Sequence, residues 1–348
     1  MRILVRTTNW LGDAVMSISA LREIRRVYPD SEITLLTRSW LADLYAREDF
    51  CDVILPYEKD GRHSGVVGRW KLWKELERGQ YDQAILLQNA FEAALMSWLS
   101  RIPRRIGYAR DGRGLLLTDP IPVPTVSEIP AHESFYYLEL LRRSGLIDKF
   151  PTRISSQLSD TATLRMNGQA EWRLRNINEE RWIGVSPGAA FGGAKRWLPE
   201  RFAESASQLS SELDAGIAIF GSSSEVVLAG RVAALIGPRA RNLAGKTTLA
   251  EYINLAATCS VYLTNDSGSM HVAAALGIPT VAVFGATNDA TTGPMSESAR
   301  VVRHDVDCSP CLLRECPIDH PCMKGVKGDV VVQQALELLG KHHTELIH

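Results

Sequence analysis

Long apolar runs are missing from this 348-residue chain. Met1-Arg2-Ile3-Leu4-Val5-Arg6 interrupts its first run too early for a signal peptide, and no later stretch is long enough to span a bilayer. The expectation is a soluble cytoplasmic protein. Net charge is also nearly absent, at -1 near neutral pH. That excludes a generally basic nucleic-acid binder and leaves any anionic partner to a local patch. Six cysteines without a secretion signal argue against a disulfide framework. Two phosphate-binding signatures fail as well. The first apolar run is not followed by Gly-x-Gly-x-x-Gly, so a dinucleotide-dependent dehydrogenase lacks its main fingerprint. The stretch Asn242 to Thr248 carries the Gly-Lys-Thr end of a phosphate loop, but Ala240 stands where that loop needs its first glycine. Asp305-Val306-Asp307 has the letters of a metal-binding Asp-x-Asp, yet it leads into cysteines rather than out of a core strand. No fixed-period repeat is present.

What is present is alternation. Ile3-Leu4-Val5, Ile33-Thr34-Leu35-Leu36 and Ala84-Ile85-Leu86-Leu87 are short β-rich runs, and helical patterns follow at Ala14 to Val27 and Phe91 to Leu99. Val15, Ile18, Leu21 and Ile24 mark the buried face of the first helix, and Pro29 closes it. His132 to Arg143 reads as a further helix, stopped near Gly145. A second series runs through Trp182-Ile183-Gly184-Val185, Ile217-Ala218-Ile219-Phe220, Val261-Tyr262-Leu263 and Thr280-Val281-Ala282-Val283. Strand-helix alternation of this kind predicts parallel α/β sheets, and the length predicts two of them. The weakly periodic polar stretch from Asp148 to about Asn167 is the expected linker. The domains are therefore read as 1–165 and 166–328, with a C-terminal helix in 329–348 whose domain is open. Ligands of such sheets bind beyond the carboxyl ends of the strands, here in a shared central cleft.

Each candidate residue sits where a strand ends. Thr264-Asn265-Asp266-Ser267-Gly268-Ser269-Met270-His271 joins an apolar run to an Ala-rich helical pattern, so Ser267 and Gly268 open a helix whose free N–H groups suit an anion. Asp266 would repel a phosphate unless turned away, and is read as a ligand for hydroxyls or a backbone N–H. Phosphate and polyol together suggest a nucleotide-sugar. In Asn9-Trp10-Leu11-Gly12-Asp13, Gly12 makes a turn and Asp13 is either a helix cap or a general base for an attacking hydroxyl. Ser186 to Trp197 includes Gly188, Gly192 and Gly193, which permit close backbone approach, and Lys195, a point charge suited to a diphosphate. Gly221-Ser222-Ser223-Ser224-Glu225 is another strand-to-helix turn, with Glu225 either a ribose ligand or a favourable charge at a helix start.

Two clusters remain. Cys308, Cys311, Cys316 and Cys322 form C-x2-C-x4-C-x5-C around His320, an array suited to a structural zinc ion or composed of uncoordinated thiols. Arg101, Arg104, Arg105, Arg110 and Arg113, with Asp111 between them, suit an anionic acceptor or a solvated loop.

Taken together, these segments resemble the ADP-heptose:lipopolysaccharide heptosyltransferases, most closely the heptosyltransferase II branch. The resemblance rests on Asn9 to Asp13, Pro187-Gly188-Ala189 through Lys195-Arg196-Trp197, Phe220-Gly221-Ser222, Asn242-Leu243-Ala244-Gly245 and Thr264 through His271, spread over nearly the whole chain. It implies a GT-B fold of two Rossmann-like doubly wound domains and an inverting transfer that needs no metal cofactor. It makes Asp13 the base and Lys195 the basic group at the donor phosphates. Glu225 and Asp266 become donor-binding carboxylates, with Ser267, Gly268 and His271 in the donor loop and Gly12, Gly188 and Ser222 beside them. The implied partners are ADP-heptose and a lipopolysaccharide inner-core heptose, met at the inner face of the inner membrane, with Arg104, Arg105, Arg110 and Arg113 toward the acceptor. A heptosyltransferase I type acting on Kdo-lipid A, a nucleotide-sugar epimerase of the same fold and a silent nucleotide-sugar binder are the alternatives.

Overall fold

The computed structural model describes residues 1–177 and 179–345, the last five by backbone alone. Contacts divide the chain into two units, 1–156 and 157–348. The first holds a parallel six-stranded sheet in the order β3-β2-β1-β4-β5-β6. Its strands are β1 (Arg2–Arg6), β2 (Glu32–Arg38), β3 (Val53–Tyr57), β4 (Gln83–Leu86), β5 (Arg104–Tyr108) and β6 (Asp119–Ile121). The second holds β7 (Trp182–Ser186), β8 (Gly216–Ile219), β9 (Ala240–Asn242), β10 (Cys259–Asn265), β11 (Thr280–Phe284) and β12 (Ala299–Arg303). Its order, β12-β11-β10-β7-β8-β9, repeats the first sheet strand for strand. Both are doubly wound Rossmann-like sheets, and in each the strand order reverses direction beside the first strand, where such sheets bind ligands.

Burial explains which runs became central strands. Val5 pairs with Leu35 on one side and Ile85 on the other, and Val185 with Leu263 and Ile219, and consecutive residues of both strands are buried, so these runs are covered on both faces as well as at both edges. The first expected helix is divided, as Leu11–Met16 and Ile18–Val27, at Ser17. The Ser17 hydroxyl donates to the Ala14 carbonyl at 2.9 Å, a back-bond that perturbs the helical ladder. The helix Phe91–Leu99 has the expected bounds. In Glu133–Arg143, His132 is the N-cap, its Nδ1 accepting from the Ser134 N–H.

The boundary expected at 165/166 falls earlier. Leu158 N–H donates to the Ala275 carbonyl, and the helix Thr161–Leu174 packs within the second unit. A Cβ on Gly168 would lie 2.1 Å from the Asn254 carbonyl oxygen, so this helix touches backbone directly. Trp172 completes the attachment, stacking on Trp182 with ring centroids 3.9 Å apart and its Nε1 on the Thr258 hydroxyl. The C-terminal helix, Gly328–Glu345, also belongs to the second unit. Val331, Val332, Ala335, Leu338 and Leu339 share a core with Trp197, Phe202 and Ile217. Residues 346–348 of the expected terminal segment lie outside the described residues.

Candidate active site

At the end of β10 three turns meet. Asn265 is fully buried, with Oδ1 accepting from the Trp197 N–H at 2.9 Å and Nδ2 donating to the Pro187 carbonyl at 2.7 Å. It clamps the turn after β7 to the end of β10. Asp266, also buried, receives the Lys195 ammonium at 2.5 Å and the Thr287 hydroxyl at 2.5 Å on the same carboxylate oxygen. Lys195 and Asp266, read separately from the sequence, are therefore one ion pair. Its burial makes it costly to break, because removing either partner leaves an uncompensated charge. Asp266 is thus turned toward a cation, which removes the conflict with an anion at the neighbouring helix start.

That helix is Gly268–Ala275, with Ser267 as N-cap in an extended conformation. The Ser267 hydroxyl is engaged with Thr264 at 3.1 Å and does not cap the helix. The first-turn N–H groups therefore carry no side-chain cap and retain the positive end of the helix dipole. His271 is buried in the same turn of the chain.

The glycines of the turn after β7 have a different role from the expected one. A Cβ on Gly188 would lie 1.8 Å from Glu225 Oε1, and one on Gly192 only 2.2 Å from the Arg314 carbonyl oxygen. Gly193 faces the Glu315 carboxylate in the same way. These residues are glycine because protein neighbours press against them. Glu225 itself is a helix-start cap: its Oε2 accepts the Ser222 N–H at 2.7 Å and the Ser222 hydroxyl at 2.8 Å. The expected ribose ligand is thus built first as a capping pair with Ser222.

In the first unit, Asp13 stands at the carboxyl end of β1 but is not a cap. The helix begins at Leu11 with Trp10 as N-cap, so Gly12 and Asp13 both lie within its first turn rather than before it. Glu133 and Tyr137, on one helix, feel the Asp13 charge. Burial raises the Glu133 carboxyl above its usual range and Asp13 raises it further. Burial also pushes the Tyr137 phenol well up, with Asp13 and then Glu133 adding to it. A second carboxylate beside Asp13 was not legible in the sequence, since nothing local marks Glu133 as its neighbour.

The arginine cluster is dispersed by the fold. Arg104 and Arg105 open β5, at the end of the sheet opposite Asp13. Arg104 pairs with Asp119 at 3.0 Å, and Arg105 donates to the Leu116 carbonyl at 2.7 Å and to that of Ile102. Arg113 is wholly buried, its guanidinium spent on the carbonyls of Tyr108 and Gln88 and on the Asn89 side chain. Burial lowers its pKa to about 10. These three are corrected to structural roles. Arg110 alone of the four stays exposed beyond the carboxyl end of β5, held by Tyr136 and by Asp111 at 3.3 Å.

The four clustered cysteines are free thiols, Cys308 exposed and Cys322 buried. Burial raises the Cys322 thiol, and the thiols of Cys308, Cys311 and Cys316 add to that. Yet among the described residues no three Cys, His, Asp or Glu side chains are gathered to hold a metal ion.

With this geometry in view, comparison with known proteins is decisive. Residues 69–321 match glycosyltransferase family 9 (heptosyltransferase). The chain belongs to that family. This family 9 glycosyltransferase is 32% identical over 312 residues to lipopolysaccharide heptosyltransferase 2 of Escherichia coli K12, covering 87% of this chain and 88% of that one. Its structure matches that of the E. coli ADP-heptose LPS heptosyltransferase II with a TM-score of 0.83 at 30% identity, over 99% of this chain and all of the other. The fold class and heptosyltransferase activity follow. A UDP-GlcNAc 2-epimerase from Methanocaldococcus jannaschii shares only the fold, at 13% identity and a TM-score of 0.51 over 87% of this chain and 89% of that one. For the family 9 enzyme, the residues that sequence reasoning missed are Asn265, Thr287 and Glu133. Asn265 and Asp266 share one turn, and polarity at the end of an apolar run was the available signal for both.

Proposed function

We propose that this glycosyltransferase moves heptose from ADP-L-glycero-D-manno-heptose to a heptose of the lipopolysaccharide inner core, by a single inverting displacement. Asp13 accepts the proton of the acceptor hydroxyl as that oxygen bonds to the anomeric carbon. The bond from that carbon to the diphosphate breaks, and ADP departs with its charge met by Lys195 and the helix start at Gly268. No metal ion has a step in this reading. The observation that carries it is the Lys195–Asp266–Thr287 cluster beside an uncapped helix, where the second sheet reverses strand order. Asp266 fixes the lysine while its remaining N–H groups serve an anion.

A lipid-linked acceptor implies work at the inner face of the inner membrane. No described helix is long and apolar enough to cross a membrane. The first unit instead exposes Val66, Val67 and Trp70 at the start of the helix Gly65–Gly79. Residues 61–71 also carry Lys71 and two arginines, Arg62 and Arg69, that are paired with Glu75 and Glu92. Apolar, aromatic and basic side chains in one segment suit peripheral contact with anionic lipid.

The test is ADP release from ADP-heptose with and without a heptose-terminated inner-core acceptor. Acceptor-dependent release by the wild type, lost in Asp13→Ala, is the expected result. Release that ignores the acceptor would overturn the transfer assigned here.

A further inference from the structure

The turn that carries Lys195 is braced by a segment of the cysteine-rich loop. Ala194 N–H donates to the Arg314 carbonyl and Gly193 N–H to Glu315 Oε1, each at 2.9 Å. The same loop reaches the other side of the cluster. Leu312 N–H donates to the Ala286 carbonyl at 2.8 Å, and the Ser309 hydroxyl to the Gly285 carbonyl at 2.6 Å, just before Thr287. Arg314 is therefore fixed by backbone contacts within one turn of Lys195.

Its side chain converges on the same place. The Arg314 guanidinium lies 5.2 Å from the Phe191 ring centroid and Lys195 Nζ 5.0 Å from it. Two cations thus share one aromatic ring. They differ in how their charge is met. Lys195 is neutralised by Asp266, whereas Arg314 is exposed and has no carboxylate partner among the described residues. The Glu315 carboxylate next to it is turned to the Gly193 N–H. A diphosphate carries more negative charge than one lysine already paired with an aspartate offsets, and a planar guanidinium suits two phosphate oxygens at once.

We propose that Arg314 is a second cation of the diphosphate site, binding the donor's phosphates beside Lys195. The proposal rests on the reading of the donor as a nucleoside diphosphate-sugar bound at this turn. Because Ala194 uses the Arg314 carbonyl, replacing the side chain leaves the brace in place. Calorimetric titration of the full chain with ADP and with adenosine separates the outcomes. Arg314→Ala is expected to weaken ADP about ten- to a hundredfold, the range of a charge-assisted hydrogen bond, and to leave adenosine affinity and thermal midpoint unchanged. Arg314→Lys should recover part of the loss. Wild-type affinity for ADP in Arg314→Ala, or equal loss of ADP and adenosine, would overturn the proposal. Failure of the wild type to bind ADP would instead remove the donor reading on which it stands.

Discussion

The two units share one strand order but differ in the exposure of most of their tryptophans. In the second unit Trp172, Trp182 and Trp197 are at most 3% exposed and form part of its packing. In the first, Trp10, Trp40, Trp70 and Trp98 are exposed by 45% to 63%; Trp10 and Trp40 closely follow the carboxyl ends of β1 and β2, Trp70 and Trp98 lie on helices, and Trp73 is partly buried. The polar groups differ in parallel. The second sheet ends in turns that close on one another through Lys195, Asp266, Asn265 and Thr287. The first ends in Asp13 beside the partly buried carboxyl of Glu133, with aromatic side chains left in solvent. One frame therefore carries an internally paired cationic site in one copy and an acid-lined, aromatic-rimmed end in the other. Strand order places the chemistry, and only the residues on the turns decide what it is.

The largest effects should come from breaking each centre at its charged residue. Asp13→Ala is expected to lower kcat by about 10²–10⁴, the range for loss of a general base, while ADP affinity stays near wild type. Matching losses in ADP affinity and rate would make Asp13 structural. In the second unit Lys195→Ala should also reduce folding stability, by about 3–5 kcal/mol, because Asp266 is left buried without its cation. Denaturant titration checks this. Lys195→Ala combined with Asp266→Ala should cost less than the two single changes summed, since the pair is removed together. Strict additivity would show that the two charges do not depend on each other.

The contrast between units also explains what could be read without coordinates. β1, β2, β4, β7, β8, β10 and β11 were visible as apolar runs because they lie inside the sheets with side chains buried on both faces. β3, β6, β9 and β12 lie at sheet edges, and β5 begins with two arginines, so none carries that signal. Arg113 misled for a related reason: its charge suggests solvent, yet backbone carbonyls satisfy it in the interior. Asp266 and Ser267 were legible because a turn is local. Thr287 and Glu315 were not, because their partners lie 21 and 122 positions away and only the fold brings them together.

Exchanging the tryptophan environments in thought gives a third test. Trp182 stacks on Trp172 at an interplanar angle of 11°, and its truncation to Ala should cost about 3–5 kcal/mol in a thermal or denaturant titration. Trp70→Ala should change stability by no more than about 0.5 kcal/mol, as exposed positions do. Its effect should appear instead as weaker sedimentation with vesicles containing anionic lipid. Undiminished vesicle binding by Trp70→Ala would separate the exposed aromatic rim from membrane contact.

The smallest effect concerns the acidic end of the first unit. Burial, then the Asp13 charge, raise the Glu133 carboxyl above its ordinary value, so the folded chain holds that proton more tightly than the unfolded one. The stability this group supplies is full below its unfolded pKa and is lost as pH rises through the higher folded pKa. Glu133→Gln keeps a neutral side chain throughout. The variant should therefore match the wild type at low pH and gain on it as the pH climbs through the folded pKa, a trend that thermal midpoints across the acidic range measure. Placing Asp13→Asn in both backgrounds should shrink the gain without abolishing it, since burial, the larger cause, remains. A gain independent of pH would point to packing around the Gln amide rather than to charge. A gain unaffected by Asp13→Asn would mean that the two carboxylates at this end of the sheet act separately.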